Sequence, residues 1–285
     1  MKFDLIYRRL LLGKKFKHQY RCDPNFNLVR EDDFCNVFFK NQLVAKIPLA
    51  QTLSKKLNGS CFIVATGPSL KEIDLNLFSQ HDTISLNCAI RKFQENNVKP
   101  THCIATDRRV FENHWECIRD SILSGANCFF SYIGISRICE RDPDLLKLGN
   151  VYLIESISRK FGIPRPSVEN CKKTFRNDPE IFLDSDHLNL CRSIGFSSSL
   201  EKGIFPGKTV ATMAVQLAIN LGYDKNFIMG MDLGGTGIRY FYNTPQNTGP
   251  NFVKDYEPHI RVCFELARHV CDSMNIQIYN LSKNS

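Results

Sequence analysis

The 285-residue chain predicts an α/β fold, a Rossmann-like, doubly wound and mostly parallel sheet. Two observations predict it. Seven short apolar runs alternate with stretches of helical periodicity, and the runs are continuous rather than alternating, as in strands covered by helices on both faces. Glycines and polar residues also gather at the carboxyl ends of those runs, where open α/β sheets hold their ligands.

The strands are expected at 61–65, 83–87 ("TISLN"), 102–106 ("HCIAT"), 127–131 ("NCFFS"), 151–155 ("VYLIE"), 226–231 ("NFIMGM") and 276–280 ("IQIYN"). The main helices are expected near 70–78, 89–97, 109–123, 208–221 and 256–274. Ahead of them, residues 22–57 read as an irregular or small β segment ("CNVFFK", "QLVAKIPL") leading to a helix near 50–57. Residues 156–206 break the rhythm: they are long, contain proline and carry Arg159, Lys160, Arg165, Lys172, Lys173 and Arg176. A stretch this long with weak periodicity inside a compact domain reads as a lid or binding loop. The expected organisation is a leader and small extension over 1–57, then one domain over 58–285 with its lid near 156–206.

Composition narrows the class. The apolar content of 43% can bury a substantial core. The twelve cysteines are scattered with no Cys-x-x-Cys pair, and the chain opens without a signal-peptide pattern, so reduced buried thiols in the cytoplasm are expected. Of the net charge of +8, residues 1–21 hold +6, from Lys2, Arg8, Arg9, Lys14, Lys15, Lys17 and Arg21 against Asp4. The rest of the chain is close to neutral, which argues against a nucleic-acid groove. Phe3, Ile6, Tyr7, Leu10 and Leu11 interleave the basic residues at helical spacing. That leader is either a solvated terminal helix or one that lies on an anionic membrane surface. No apolar run approaches the roughly 20 residues of a spanning helix.

Three motifs carry candidate chemistry. In "CFIVATGPSL" a strand ends at Thr66 and Gly67, Pro68 opens a helical turn, and Ser69 with Glu72 forms a Ser-x-x-Glu capping pattern. Free amides at such a turn suit a phosphate or carboxylate, with Ser69 either capping or joining Thr66 and Gly67 at the ligand. The Gly-x-Gly-x-x-Gly fingerprint of nicotinamide cofactors is absent. "GIFPGKT" at 203–209 resembles a Walker loop one residue too short, but its end, Gly207-Lys208-Thr209, is a good anion site in its own right. In "FIMGMDLGGTGIRYFYN" a strand delivers Gly230 and Asp232 at its tip, and Tyr240 and Tyr242 follow a glycine-rich loop. Asn87 and Asp107 stand at the ends of two further strands.

These residues, in this order, resemble bacterial transferases that use CMP-activated nonulosonic acids. "GPSLKEID", "GMDLGGTGIRYFYN" and "IQIYNLSKNS" resemble the family 42 sialyltransferases, and "GKTVATMAVQLAINLGY" with "IYNLS" is more similar still to the enterobacterial lipopolysaccharide inner-core transferase for the third Kdo residue. The resemblance covers roughly residues 61–110 and 203–285. It implies a GT-A-variant-like glycosyltransferase with CMP-sugar as co-substrate and no further cofactor, acting on a lipopolysaccharide or related glycan at the inner face of the inner membrane. It implies that Thr66 and Gly67 contact the CMP phosphate and ribose region, that Asn87 and Asp107 bound the donor pocket, and that Thr209 holds the phosphate or sugar carboxylate. Gly230 and Asp232 would bind the ribose and Tyr240 would lie against the leaving phosphate. The family has asparagine where Thr66 stands and tyrosine where Gly234 stands, and its general-base histidine falls at Pro258, one residue from His259.

The chemistry is consistent with that implication. A monophosphate leaving group can be stabilised by hydroxyl and amide donors without a divalent metal, and the chain has no Asp-x-Asp at a strand end, Asp184-x-Asp186 lying in the unpatterned middle. The acceptor hydroxyl needs a base, for which His259 is the first candidate, with Asp107 and His187 behind it. Two other classes share parts of the pattern: a pterin-type diphosphokinase, which would need ATP and magnesium, and a nucleotide-binding module without catalysis. The oligomeric state stays open.

Overall fold

The structure, a computed structural model, describes residues 8, 10–232, 240–242 and 255–282. Its strands are β1 (Phe26–Arg30), β2 (Phe34–Phe39), β3 (Gln42–Pro48), β4 (Ser60–Val64), β5 (Asp82–Leu86), β6 (His102–Ala105), β7 (Asn127–Phe130), β8 (Asn150–Leu153), β9 (Ile181–Phe182), β10 (Phe196–Ser197), β11 (Lys225–Met229) and β12 (Gln277–Asn280). Seven of them form one parallel sheet in the order β12-β11-β4-β5-β6-β7-β8. All seven predicted strands are present.

Burial explains why their sequences are apolar without alternation. Phe62, Val64, Cys103, Ala105, Cys128 and Phe130 feed the core on one face of the sheet. Their neighbours Cys61, Ile63, Ile84, Ile104, Phe129 and Ile228 feed the core on the other. Successive strand residues point to opposite faces, so a sheet covered twice needs apolar residues at every position. The helix Val210–Leu221 illustrates the covering layer: from Ala211 to Leu221 every residue is buried. It stops at Gly222, whose φ of +116° suits glycine, and a Cβ there would sit 2.1 Å from the Leu57 carbonyl oxygen.

Chain order reverses between β4 and β11. From β4 the strands run outward through β8, and the chain then returns to place β11 and β12 on β4's other side. That reversal opens a crevice at the carboxyl ends of the two strands.

The helices depart from expectation in informative ways. Residues 70–78 hold no α-helix but two short 3₁₀ segments, Pro68–Glu72 and Leu75–Phe78. The helix expected over 109–123 is two, Arg108–Asn113 and Trp115–Leu123, broken at His114, whose φ of −133° and ψ of 48° leave the helical region. The helix expected over 256–274 opens as a wide π-helical turn, Tyr256–Arg261, before Val262–Ser273. Tyr132–Arg141 is a further helix that the periodicity did not bring out.

The extension and the middle segment are both structured. β1, β2 and β3 make an antiparallel sheet. Its Phe26, Leu28, Val37 and Ile47 share a core with Leu145, Val151 and Leu153, and Leu49 bridges to Leu153 beside β8. Residues 156–206 carry the helix Val168–Phe175, the two-residue pair β9–β10 and a small core of Ile157, Ile181 and Phe205. Elements this short leave no readable period. Of the leader, the described part holds the helical turn Gly13–Phe16 and then docks: Arg165 N donates to Lys15 O at 2.8 Å and Tyr132 Oη to His18 O at 3.1 Å. All twelve cysteines are buried and none is in a disulfide.

Candidate active site

The first wall of the crevice is built from backbone. Beyond the last ladder residues, Ala65 N donates to Met229 O at 2.8 Å and Gly67 N to Gly230 O at 2.7 Å, so β4 and β11 stay paired as they leave the sheet. Asp232 then accepts the Ser69 amide on Oδ2 at 2.7 Å. The approach is so close that a Cβ on Gly67 would lie 2.4 Å from that oxygen and 2.5 Å from the Gly230 carbonyl. Gly67 has an ordinary φ of −69°, so space and not conformation demands glycine there. Gly230 needs glycine for conformation, with φ of +67°. The capping pattern is corrected by the same contact. Ser69 makes no side-chain cap, because it lies inside the turn, whose N-cap position is Gly67, and the carboxylate of Asp232, distant in sequence, accepts its amide.

Around this wall lies a cavity of about 990 Å³ lined by Thr66, Gly67, Asn87, Asp107, Thr209, Gly230, Asp232, Tyr240 and His259. Nine of the ten candidate residues therefore line one crevice, and Ser69 does not. Two buried acceptors on its lining, Asn87 Oδ1 and Asp232 Oδ1, have no hydrogen-bond partner among the described residues. Asn87 reaches its place with φ of 52°, a left-handed turn that asparagine tolerates at the end of β5. Opposite, Thr209 caps the buried helix, accepting the Ala211 amide on its hydroxyl at 3.3 Å. The preceding Gly207 and Lys208 both have positive φ, 50° and 65°, which folds the chain tightly against the helix start.

With this geometry in place, the comparisons with known proteins decide the family. Residues 43–285 match the family described as 3-deoxy-D-manno-octulosonic acid transferase WaaZ. The chain belongs to that family. It is a glycosyltransferase acting with an ulosonic acid. Among curated relatives, a probable 3-deoxy-manno-octulosonic acid transferase of Salmonella typhimurium is 24% identical over 239 residues, 82% of this chain and 86% of that one. Its counterpart in Escherichia coli is 22% identical, over 85% of this chain and 84% of that one. Of solved structures, the sialyltransferase CstII from Campylobacter jejuni, in complex with cytidine-5'-monophosphate, aligns over 79% of this chain and 81% of its own at 16% identity and a TM-score of 0.43. The MAf glycosyltransferase from Magnetospirillum magneticum aligns over 95% of this chain and 36% of its own, at 12% identity and a TM-score of 0.46. Neither the diphosphokinase nor the non-catalytic alternative gains support from these matches.

In this Kdo transferase family member the electrostatics of the candidate residues separate. Asp107 caps the helix Arg108–Asn113 through the Arg109 amide at 2.9 Å, and both carboxylate oxygens are held by the Arg109 side chain at 2.5–3.2 Å. Burial works to raise the Asp107 pKa, but the hydrogen bonds and charge of Arg109 outweigh it and leave the group below its usual value. A carboxylate so held is a poor proton acceptor. His259 is the reverse case. Burial lowers its pKa below 6.5, Lys208 and His187 lower it further, and Asp255 only partly opposes them. The ring is thus neutral at neutral pH. Its Nδ1 is buried without a hydrogen bond among the described residues, 3.9 Å from Asp255 Oδ1, while Lys208 Nζ stands 3.5 Å from the same oxygen.

Arg159 of the basic middle segment and Lys208 of the Gly207-Lys208-Thr209 turn also line the crevice, and the structure adds Arg109 and His114. These two lie on and just after the short helix Arg108–Asn113, where no sequence motif marks them. His187 pairs with Asp184 at 2.7 Å and is absent from the lining. Tyr240 stacks on Tyr242 with ring centroids 5.2 Å apart, and Arg91 lies over the Tyr242 ring at 4.6 Å. Gly234 lies outside the described residues. Among the described residues no cluster of three or more His, Cys, Asp or Glu is placed to hold a metal ion, and no helix is long and apolar enough to cross a membrane.

Proposed function

We propose that the chain transfers an ulosonic acid, Kdo or a sialic-type sugar, from its CMP-activated form to a lipopolysaccharide acceptor, without a divalent metal. The two buried acceptors without a partner among the described residues, Asn87 Oδ1 and Asp232 Oδ1, carry the reading. Each costs about 1–3 kcal/mol while unsatisfied, and the donors of a nucleoside, a ribose diol and an exocyclic amine, would satisfy them. The nucleotide phosphate then falls to the helix start at Thr209, with Lys208 and Arg109 as cations on the same lining. Their charge supplies the stabilisation that a metal gives the leaving phosphate in other transferases. Tyr240 would donate to that phosphate as the glycosidic oxygen departs. His259, neutral, would take the acceptor hydroxyl's proton as the anomeric carbon is attacked. Asp107 acts here as the residue that positions Arg109 and not as a base.

The chain would work at the inner face of the inner membrane. Leu10 and Leu11, 73% and 68% exposed, sit beside the exposed Lys14, Lys15 and Lys17, which suits an anionic lipid surface.

Thermal unfolding tests the donor assignment. CMP should raise the melting temperature equally in EDTA and in magnesium, since a ligand that binds only the native state stabilises it. CMP-Kdo should be turned over with release of CMP. A shift seen only with ATP and magnesium would return the diphosphokinase reading.

A further inference from the structure

Three arginines meet where the segment 156–206 borders the crevice. Arg159 lines the crevice itself, as does Ser193, the residue after Arg192. Ser158 Oγ donates to Arg192 O at 2.8 Å, and Arg192 Nη1 donates to Pro166 O at 3.4 Å, next to Arg165. Arg165 in turn is fixed by its backbone bond to Lys15. Gly207 N donates to Ser193 O at 3.1 Å, which ties this cluster to the turn before Thr209.

None of the three arginines has a salt-bridge partner among the described residues, and Arg165 Nε is buried with no hydrogen-bond partner. No carboxylate is among the groups that shift Arg165; Cys171 and Tyr132 only weakly oppose the lowering. Burial first, then the charges of Arg159 and Arg192, lower its pKa to about 10. His18 borders the same place, its pKa lowered by burial and by Arg159 and Arg165. Glu169, fully exposed on the neighbouring helix, is the acid whose field Arg192 reaches. Like charges gathered with no paired carboxylate and only the exposed Glu169 nearby destabilise the free protein, and an arrangement of this kind is complementary to an oxyanion.

We propose that Arg159, Arg165 and Arg192 form a subsite for an anionic group of the acceptor, a phosphate or a sugar carboxylate, held beside the crevice while the neighbouring hydroxyl is glycosylated. The proposal rests on the transferase reading for its second substrate. It assigns the donor phosphate to the Thr209 side and the acceptor's charge to the arginine side, so the two substrates are fixed by separate sets of cations.

The test uses the double variant Arg165→Gln, Arg192→Gln and the single Arg159→Gln, the latter at an exposed position that spares the fold. With CMP saturating, inorganic phosphate added against chloride at constant ionic strength should raise the melting temperature of the wild type and fail to do so for the double variant. In turnover, KM for the acceptor should rise at least about tenfold in the double variant, while KM for the CMP-sugar stays within about twofold. Removing the acceptor's phosphates distinguishes the sources. If phosphate is the group bound, wild type on the stripped acceptor should match the variant; if carboxylate, the variant effect should persist undiminished. An equal phosphate response in wild type and variants, an unchanged acceptor KM, or a rise confined to the donor KM overturns the subsite. Failure of CMP to bind at all would instead strike the transferase reading, and the phosphate comparison between wild type and variant, run without CMP, would still decide the subsite.

Discussion

The two walls of the crevice are made of different material. At the ends of β4 and β11 the wall is backbone, clamped by Gly67 N to Gly230 O and by the Ser69 amide to Asp232, with no room for a methyl group. The other wall is side chain: Lys208 and His259 line it, and Asp255 behind them offers one carboxylate oxygen at 3.5 and 3.9 Å. A backbone wall is suited to holding a ligand in one place and changes little with pH. A side-chain wall of loosely coupled charges can be tuned and can move a proton. Binding and chemistry are thereby separable by mutation.

The largest expected effect lies on the side-chain wall. His259→Ala should lower kcat by about 10² to 10⁴-fold while the CMP thermal shift is retained, the signature of a lost base rather than a lost contact. The wild type should lose activity as pH falls through the histidine pKa, which burial and Lys208 place below 6.5, and the alanine variant should lack that acid limb. A variant that keeps most of its rate and the same limb puts the base elsewhere.

Next comes the backbone wall. Gly67→Ala should cost about 3 kcal/mol of stability, because the added methyl meets the Gly230 carbonyl and the Asp232 carboxylate rather than a flexible side chain. The CMP shift should go with it, whereas Asp232→Ala should abolish that shift with a milder loss of stability. Denaturant unfolding of both, with and without CMP, checks the pair; a Gly67→Ala protein as stable as wild type would show that the two strand ends part easily.

A smaller effect sharpens the tuning claim. Lys208→Gln removes a charge that holds the His259 pKa down, so the acid limb should move to higher pH. Asp255→Asn removes the charge that holds it up, so the limb should move to lower pH. Limbs that stay together, or move in the same direction, would break the electrostatic account.

The smallest effect on catalysis is expected from substitutions remote from both walls. Lys14→Gln, Lys15→Gln and Lys17→Gln together should weaken binding to anionic liposomes at low salt, with the loss shrinking as salt rises, yet leave turnover of a soluble acceptor within about twofold. Truncation is the poorer experiment, because His18 and Gln19 are packed against the body and their loss would disturb the arginine cluster. Unaltered liposome binding would leave the leader as a docked terminal segment only.

The same contrast governs what could be read in advance. The backbone wall is legible: Thr66, Gly67, Gly230 and Asp232 stand at strand ends, where glycines and polar residues leave a mark in the sequence. What could not be read was that Gly67 is needed for Asp232, since that contact joins residues far apart in the chain. The side-chain wall was half legible. Thr209 announces itself by ending the Gly207-Lys208-Thr209 turn at a helix start and His259 by its position near the family's histidine, but the π-helical turn that holds His259 has no periodic signature. The grouping of Arg159, Arg165 and Arg192 is obscure for another reason. It is assembled by backbone and hydroxyl contacts with Ser158, Pro166 and Lys15, and a cluster of like charges leaves no pattern along a chain.

The closing of β11 against β4 also orders events in the making of the protein. Ser69 and Asp232 are 163 residues apart, so while the chain is being synthesised β4 has a neighbour on its β5 side and none on the other. At ordinary rates of translation that edge would stand unpaired for roughly 10–30 s. An apolar, uncovered strand edge is a template for wrong pairing. Until its last quarter is made, the nascent molecule therefore has neither the backbone wall of the crevice nor cover for that edge of β4, and both come with the seating of β11.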